Sequence, residues 1–170
     1  MSKFFLGISL PETLETECEQ WRRRFRAPKT IAHLTVIPPF TWASGLAALT
    51  GFLAKTLEQT VPISIEGEGL GSFGTRVIFV KVDSNPELLD LHKTLIQCLE
   101  SRGIATEARP YHPHITLATR LNPQKFHRYW GELEGFAPQY SFICNALTLF
   151  QFQESRGWEK VANIPLGMSK

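Results

Sequence analysis

His33-Leu34-Thr35-Val36 and His114-Ile115-Thr116-Leu117 share one pattern, histidine, apolar, threonine, apolar, and stand 81 positions apart in a chain of 170. Five histidines and 14 threonines would give roughly 0.4 His-x-Thr matches by chance. On a strand, residues i and i+2 project from one face about 7 Å apart, so each motif presents an imidazole beside a hydroxyl while its apolar members point into a core. If the two halves pack about a pseudo-twofold axis, two His and two Thr converge on one cleft. Such a set, without clustered carboxylates or thiolates, suits metal-free in-line displacement at phosphorus. One neutral His takes a proton from the attacking water or hydroxyl, and the other, protonated, gives one to the leaving oxygen. Imidazole titrates near neutrality and fits both tasks. Thr35 and Thr116 would hydrogen-bond the non-bridging oxygens as charge builds, a role in which losing one donor costs on the order of 10²- to 10³-fold. On composition and spacing alone, the pair could equally be two satisfied strand histidines.

Elements of the right period surround both motifs. Phe4–Leu10 reads as a strand, and Leu14, Cys18, Trp21 and Phe25 then mark a helix that ends before Pro28, with Arg22-Arg23-Arg24 on its solvated face. Ala32–Ile37 is strand-like and is expected to stop at Pro38-Pro39. A second helix follows on Leu46, Leu49, Leu53 and Leu57, despite Gly45 and Gly51. Val61–Glu66 and Arg76–Val82 alternate like strands around a turn at 67–74. Asn85-Pro86 and Asn122-Pro123 cap two further helices, with a strand at His114–Thr119 between them. Tyr140–Phe152 reads as one long strand bulged near Cys144-Asn145, and Trp158–Ile164 as the last. Each half thus runs strand, helix, strand, helix, strand, with a histidine on its second strand, which predicts one domain over 1–170 built from two repeats, about 1–75 and 76–170.

The bulk composition narrows the function classes. With 43% hydrophobic and 20% charged residues, the chain can bury one core. Lys and Arg total 18 against 16 acidic residues and divide evenly between the halves, which disfavours binding along a long nucleic acid by bulk charge. The longest N-terminal apolar run, Phe4–Leu10, is too short for a signal or a membrane span, so a cytoplasmic protein is expected, and with nothing to suggest an obligate partner, a monomer. Cys18, Cys98 and Cys144 form no metal or disulfide pattern and read as inert thiols. Gly69 to Gly74 satisfies G-x-G-x-x-G, but a β-type run follows in place of the helix that a dinucleotide needs. His112 and His114 could share a metal, but Pro113 and the lack of a third ligand oppose it. Phe40, Trp42 and Tyr111 flank the motifs and could stack on a base, while Arg76 and Arg109 could steer an anion.

The paired motifs, with FFLGISLPE at the start, GLGSFGTRVIFVKV in the middle, ESRGIATEARPYHPHITLATR around the second motif and GWEKVANIPL near the end, resemble the two-histidine (2H) phosphoesterase superfamily. The likeness is to its RNA 2′,3′-cyclic phosphodiesterase, or 2′-5′ RNA ligase-like, branch and covers nearly the whole chain. It implies an α/β (α+β) bilobal fold, two pseudo-symmetric lobes with antiparallel sheets around a central cleft and helices outside. It also implies hydrolysis of a 2′,3′-cyclic phosphate on RNA ends or small cyclic nucleotides, or reversible 2′-5′ joining, with no metal or cofactor. His114 would be the base and His33 the acid. Phe73 would line the cleft, and Arg120 would contact phosphate. Two departures stand out: Ile37-Pro38-Pro39-Phe40 replaces a Lys-Phe-Leu-Gly-like stretch, and Arg120 comes one place late after the second motif. A non-catalytic nucleotide or RNA-end binding module is the alternative, disfavoured because binding alone does not need two imidazoles.

Overall fold

Leu34, Val36, Ile115 and Leu117 are fully buried, and because side chains alternate along a strand, their burial turns His33, Thr35, His114 and Thr116 the other way. The computed structural model describes residues 1–167. In chain order the elements are β1 (Ser2–Ser9), α1 (Glu12–Arg24), β2 (His33–Trp42), α2 (Leu46–Leu57), β3 (Ile63–Glu68), β4 (Leu70–Phe73), β5 (Val77–Lys81), α3 (Pro86–Ser101), β6 (His114–Ala118), α4 (Pro123–Glu132), β7 (Gln139–Cys144), β8 (Ala146–Gln153) and β9 (Gly157–Pro165). All strand pairs are antiparallel. One sheet has the order β2-β1-β8-β9, and β3-β7 and β4-β5-β6 form two smaller ones. Backbone bonds from Gly69 N–H to the Pro138 carbonyl (2.9 Å) and from Asp83 N–H to the Glu66 carbonyl (2.8 Å) stitch the small sheets together.

The helices cross over. α1, which joins β1 to β2 in the chain, packs on β6, while α3, which joins β5 to β6, packs on β2. Each motif strand is therefore backed by a helix from the other half, over one continuous apolar core. The Asn-Pro starts fold as expected: Asn85 accepts from Leu88 N–H at 3.1 Å and Asn122 from Lys125 N–H at 2.8 Å. α1 ends in a Schellman motif. Ala27 N–H donates to the Arg22 carbonyl (2.9 Å) and Arg26 N–H to that of Arg23 (3.2 Å), with Arg26 left-handed at φ 54°.

Three sequence expectations are corrected. β2 runs through Pro38-Pro39 to Trp42; it is a sheet edge, and the register shifts between Phe4↔Phe40 and Leu6↔Ile37, so the prolines fall at a bulge where a ladder donor is dispensable. The segment 67–74 is not a turn throughout, because Gly67 and Glu68 finish β3 and Leu70–Phe73 pairs with β5. The strand expected over Tyr140–Phe152 breaks at Asn145: β7 pairs with β3, and β8 with β1 and β9. Among the described residues, no helix is long and apolar enough to cross a membrane.

Gly51 lies inside α2, and a Cβ placed on it meets nothing within 4 Å. Gly51→Ala should therefore stabilise the fold by about 0.5–1 kcal/mol, read as a higher urea midpoint at unchanged m-value.

Candidate active site

The two motif histidines are held alike. His33 Nδ1–H donates to the Ile31 carbonyl and His114 Nδ1–H to the His112 carbonyl, both at 2.7 Å. A carbonyl only accepts, so Nδ1 carries the proton in each neutral ring and Nε2 keeps its lone pair. Thr35 Oγ1 lies 3.0 Å from His33 Nε2. Each ring also stands beside two phenylalanines, His33 near Phe5 (4.9 Å) and Phe150 (5.4 Å), and His114 near Phe73 (4.9 Å) and Phe79 (5.3 Å). Gly7, opposite Thr35, makes room: a Cβ there would sit 3.2 Å from the Leu34 carbonyl and 3.4 Å from His33 Cδ2. Arg22, His33, Thr35, Thr116, Thr119 and Arg120 line a cleft of about 410 Å³. His114 lies on the same strand face as Thr116, which lines this cleft, but its own side chain does not line it; its charge is among those that lower His33.

Arg22 corrects the solvated-face expectation. It is 5% exposed, and its guanidinium donates to the carbonyls of Thr116 (2.8 Å), Pro28 (3.0 Å) and Thr30 (2.8 Å). Its Nε stands 3.2 Å from Glu19 Oε1, near enough for ion pairing but out of line for a hydrogen bond. Helical spacing held the signal, because Leu14, Cys18 and Arg22 follow at intervals of four on the buried stripe of α1. On the other side, α3 and its following loop tie down β2. His92 Nδ1–H donates to the Val36 carbonyl at 2.8 Å, and the Tyr111 hydroxyl to the Thr35 carbonyl at 2.6 Å, with the two rings stacked 4.2 Å apart.

The other expected site residues divide. Phe73 is 39% exposed and edge-on to His114, and its side chain is not among those lining this cleft. Arg120 lines the cleft; its left-handed backbone, φ 56°, turns the chain just after Thr119, which accommodates its late position. Arg76 is exposed on the turn between β4 and β5, where its carbonyl accepts from Leu121 N–H (3.0 Å) beside Arg120, but its side chain does not line the cleft. Phe40 is a correction, 4% exposed and packed near Phe4 in the core, as the apolar alternation of a bulged β2 demands. Tyr111 is half-buried and anchors Thr35, and burial raises its hydroxyl pKa. Arg109 is exposed and paired with Glu107. Phe5 and Trp158, which the sequence did not single out, also line the cleft. Among the described residues, no group of three His, Cys, Asp or Glu is placed to hold a metal.

Burial pushes His33 down to about 4, against the opposing Ile31 hydrogen bond and with help from the charges of Arg22, His114 and Lys160. Burial also lowers His114, against the opposing hydrogen bond to the His112 carbonyl and with help from the charge of His112. Between pH 6.5 and about 4 the unfolded chain therefore binds the His33 proton more readily than the folded one, and stability falls as pH is lowered through that window. Thermal midpoints should drop across it, and His33→Gln should drop less. Equal slopes would show that His33 stays protonatable in the folded protein.

The family model described as the 2′-5′ RNA ligase superfamily matches residues 10–156. The chain is 26% identical to the RNA 2′,3′-cyclic phosphodiesterase of Bacillus subtilis (strain 168), over 96% of each chain. Among solved structures, E. coli LigT complexed with 3′-AMP superposes with a TM-score of 0.66 at 18% identity over 98% of each chain. A Thermus thermophilus protein gives 0.67 at 17% identity over 98% of this chain and 100% of that one. At these identities the structures speak for the fold, and the family match, spanning most of the sequence and both motifs, speaks for descent: the chain belongs to the 2′-5′ RNA ligase superfamily of 2H phosphoesterases.

Proposed function

We propose that the protein is a metal-independent phosphodiesterase that opens 2′,3′-cyclic phosphates, on RNA ends or on small nucleotides, by two-histidine acid/base catalysis. The observation that carries this reading is the pair of imidazoles whose Nδ1–H is held by a backbone carbonyl, which leaves the Nε2 lone pair of each ring for proton transfer, that of His33 accepting from the Thr35 hydroxyl until substrate arrives. The activity named for the Bacillus subtilis relative supports it. His114 Nε2 takes a proton from water as the water oxygen bonds to phosphorus. The bond from phosphorus to one ribose oxygen breaks, and that oxygen takes the proton on His33 Nε2. Thr35, Thr116 and Arg120 hold the non-bridging oxygens. His33, neutral in the free protein near pH 7 because burial depresses it, gains its proton as the anionic phosphate arrives, since a nearby negative charge favours the charged ring. With a ribose 5′-hydroxyl in place of water, the same transfers would make a 2′-5′ bond.

Turnover of 2′,3′-cyclic nucleotides should persist in excess EDTA, and His33→Ala and His114→Ala should each lose on the order of 10²-fold or more while staying folded. Full activity in either variant removes that residue from the mechanism. A folded wild type that turns over none of these substrates but binds them would instead be a nucleotide-binding module.

The pH profile is a second test. With the acid at about 4 and the base also lowered in the free protein, kcat/KM should be bell-shaped with its maximum below pH 6.5, and kcat should peak at higher pH. A kcat/KM that only rises through neutrality would refute the two-histidine assignment.

A further inference from the structure

Past Arg120 the catalytic cleft continues into a second groove of about 370 Å³, the two sharing Pro28, Thr119 and Arg120. The charged residues of this groove are Arg26, Arg120 and Lys125, and no carboxylate lines it. Among the described residues none of the three makes an ion pair, whereas Arg22, Arg24, Arg109, Arg156 and Lys160 do. In a chain whose charges nearly balance, three unpaired cations around one depression form a local anion trap. Its walls are fixed: Phe25 stacks on Tyr129 at 4.3 Å, and Arg24 pairs with Glu132 at 2.9 Å, clamping the end of α1 to α4.

The backbone adds an independent sign. Among the described residues, Arg26 and Arg120 are the non-glycine positions with positive φ, 54° and 56°, and both line this groove. Arg26 occupies the left-handed position of a Schellman motif, where glycine bears no Cβ penalty. Strained non-glycine backbone concentrates where a side chain is needed at a functional site.

We propose that this groove holds the phosphodiester backbone leading up to the terminal cyclic phosphate, which makes the preferred substrate an RNA strand end in place of a free cyclic mononucleotide. The inference rests on the phosphodiesterase reading above and names its substrate class. Arg120 bridges the two sites, with the reacting phosphate on one side and the preceding phosphodiester on the other. A polyanion laid there displaces counterions, so its binding weakens with salt in proportion to the cations engaged.

The test measures kcat/KM at about 50 and 200 mM salt for three substrates: a 2′,3′-cyclic mononucleotide, the same with a 5′-phosphate, and a trinucleotide ending in a 2′,3′-cyclic phosphate. Wild type should prefer the trinucleotide to the plain mononucleotide by about 10-fold or more at low salt. Arg26→Gly and Lys125→Gln, at positions that do not line the catalytic cleft, should each lose about 3- to 10-fold on the trinucleotide, stay within about twofold on the mononucleotide, and flatten the salt dependence. Arg26→Gly should also raise the thermal midpoint by relieving the left-handed strain, so its loss cannot come from unfolding. Turnover of the mononucleotide with no trinucleotide preference, or equal losses on both, overturns the groove and leaves the phosphodiesterase reading intact. A 5′-phosphate gaining as much as the trinucleotide overturns the strand assignment in favour of a single-phosphate site. If no substrate turns over, the phosphodiesterase reading fails, and fluorescence polarisation of a labelled trinucleotide ending in a 3′-phosphate decides the groove: weaker binding by both variants sustains it, and unchanged binding overturns it.

Discussion

A guanidinium taken out of water must find its hydrogen bonds in the protein, and the site is arranged around how Arg22 finds them. Its partners at Pro28 and Thr30 belong to the loop that enters β2, and Thr116 belongs to the other motif. Glu19, one helical turn earlier, takes the Ala32 N–H at 2.6 Å. Residues 28, 30 and 32 are thus all fastened to α1, and Ile31, whose carbonyl selects the His33 tautomer, lies between them. One buried charge sets the loop, through the loop one imidazole, and directly the backbone of the facing strand. Breaking such an arrangement on one side typically costs about 3–5 kcal/mol, because the remaining polar groups stay buried without partners.

The second tie is built from different chemistry. α3 reaches β2 through His92 and the chain before β6 reaches it through the Tyr111 hydroxyl, so the frame is nearly symmetric while its charges are not. Arg22 is among the groups that lower His33, whereas His114 feels burial and His112. Two imidazoles with the same backbone anchor thereby sit among different charges, the kind of asymmetry that sets acid and base roles apart between like residues.

What could be read beforehand was whatever a local period encodes. The alternation of Leu34 and Val36 with His33 and Thr35 gave the facing of both motifs, and the Asn-Pro caps gave two helix starts. The misses came from tertiary placement. Pro38-Pro39 ends a strand in isolation but not at a bulged sheet edge. The break at Asn145 exists because two different sheets claim its flanks. Phe40 looked like a platform because it neighbours the motif, yet its register sends it to the core. Arg22 was hidden by its neighbours Arg23 and Arg24, which are exposed, since a run of three arginines obscures that one of them keeps the apolar stripe's spacing.

The four-stranded sheet is completed only when strands far apart in the sequence meet, β1 with β8. β1 lies inside that sheet with Leu6 opposite Leu149, so β1 waits for a partner far downstream in the sequence. During synthesis the β1–β2 pair, joined through α1, leaves the ribosome with the inner edge of β1 bare as well as the permanent edge of β2, and the His33 side of the cleft cannot assemble until β8 has emerged. Pairings of such sequence separation slow folding and expose sheet edges meanwhile, so the nascent chain should be most vulnerable to association before β8 and β9 arrive.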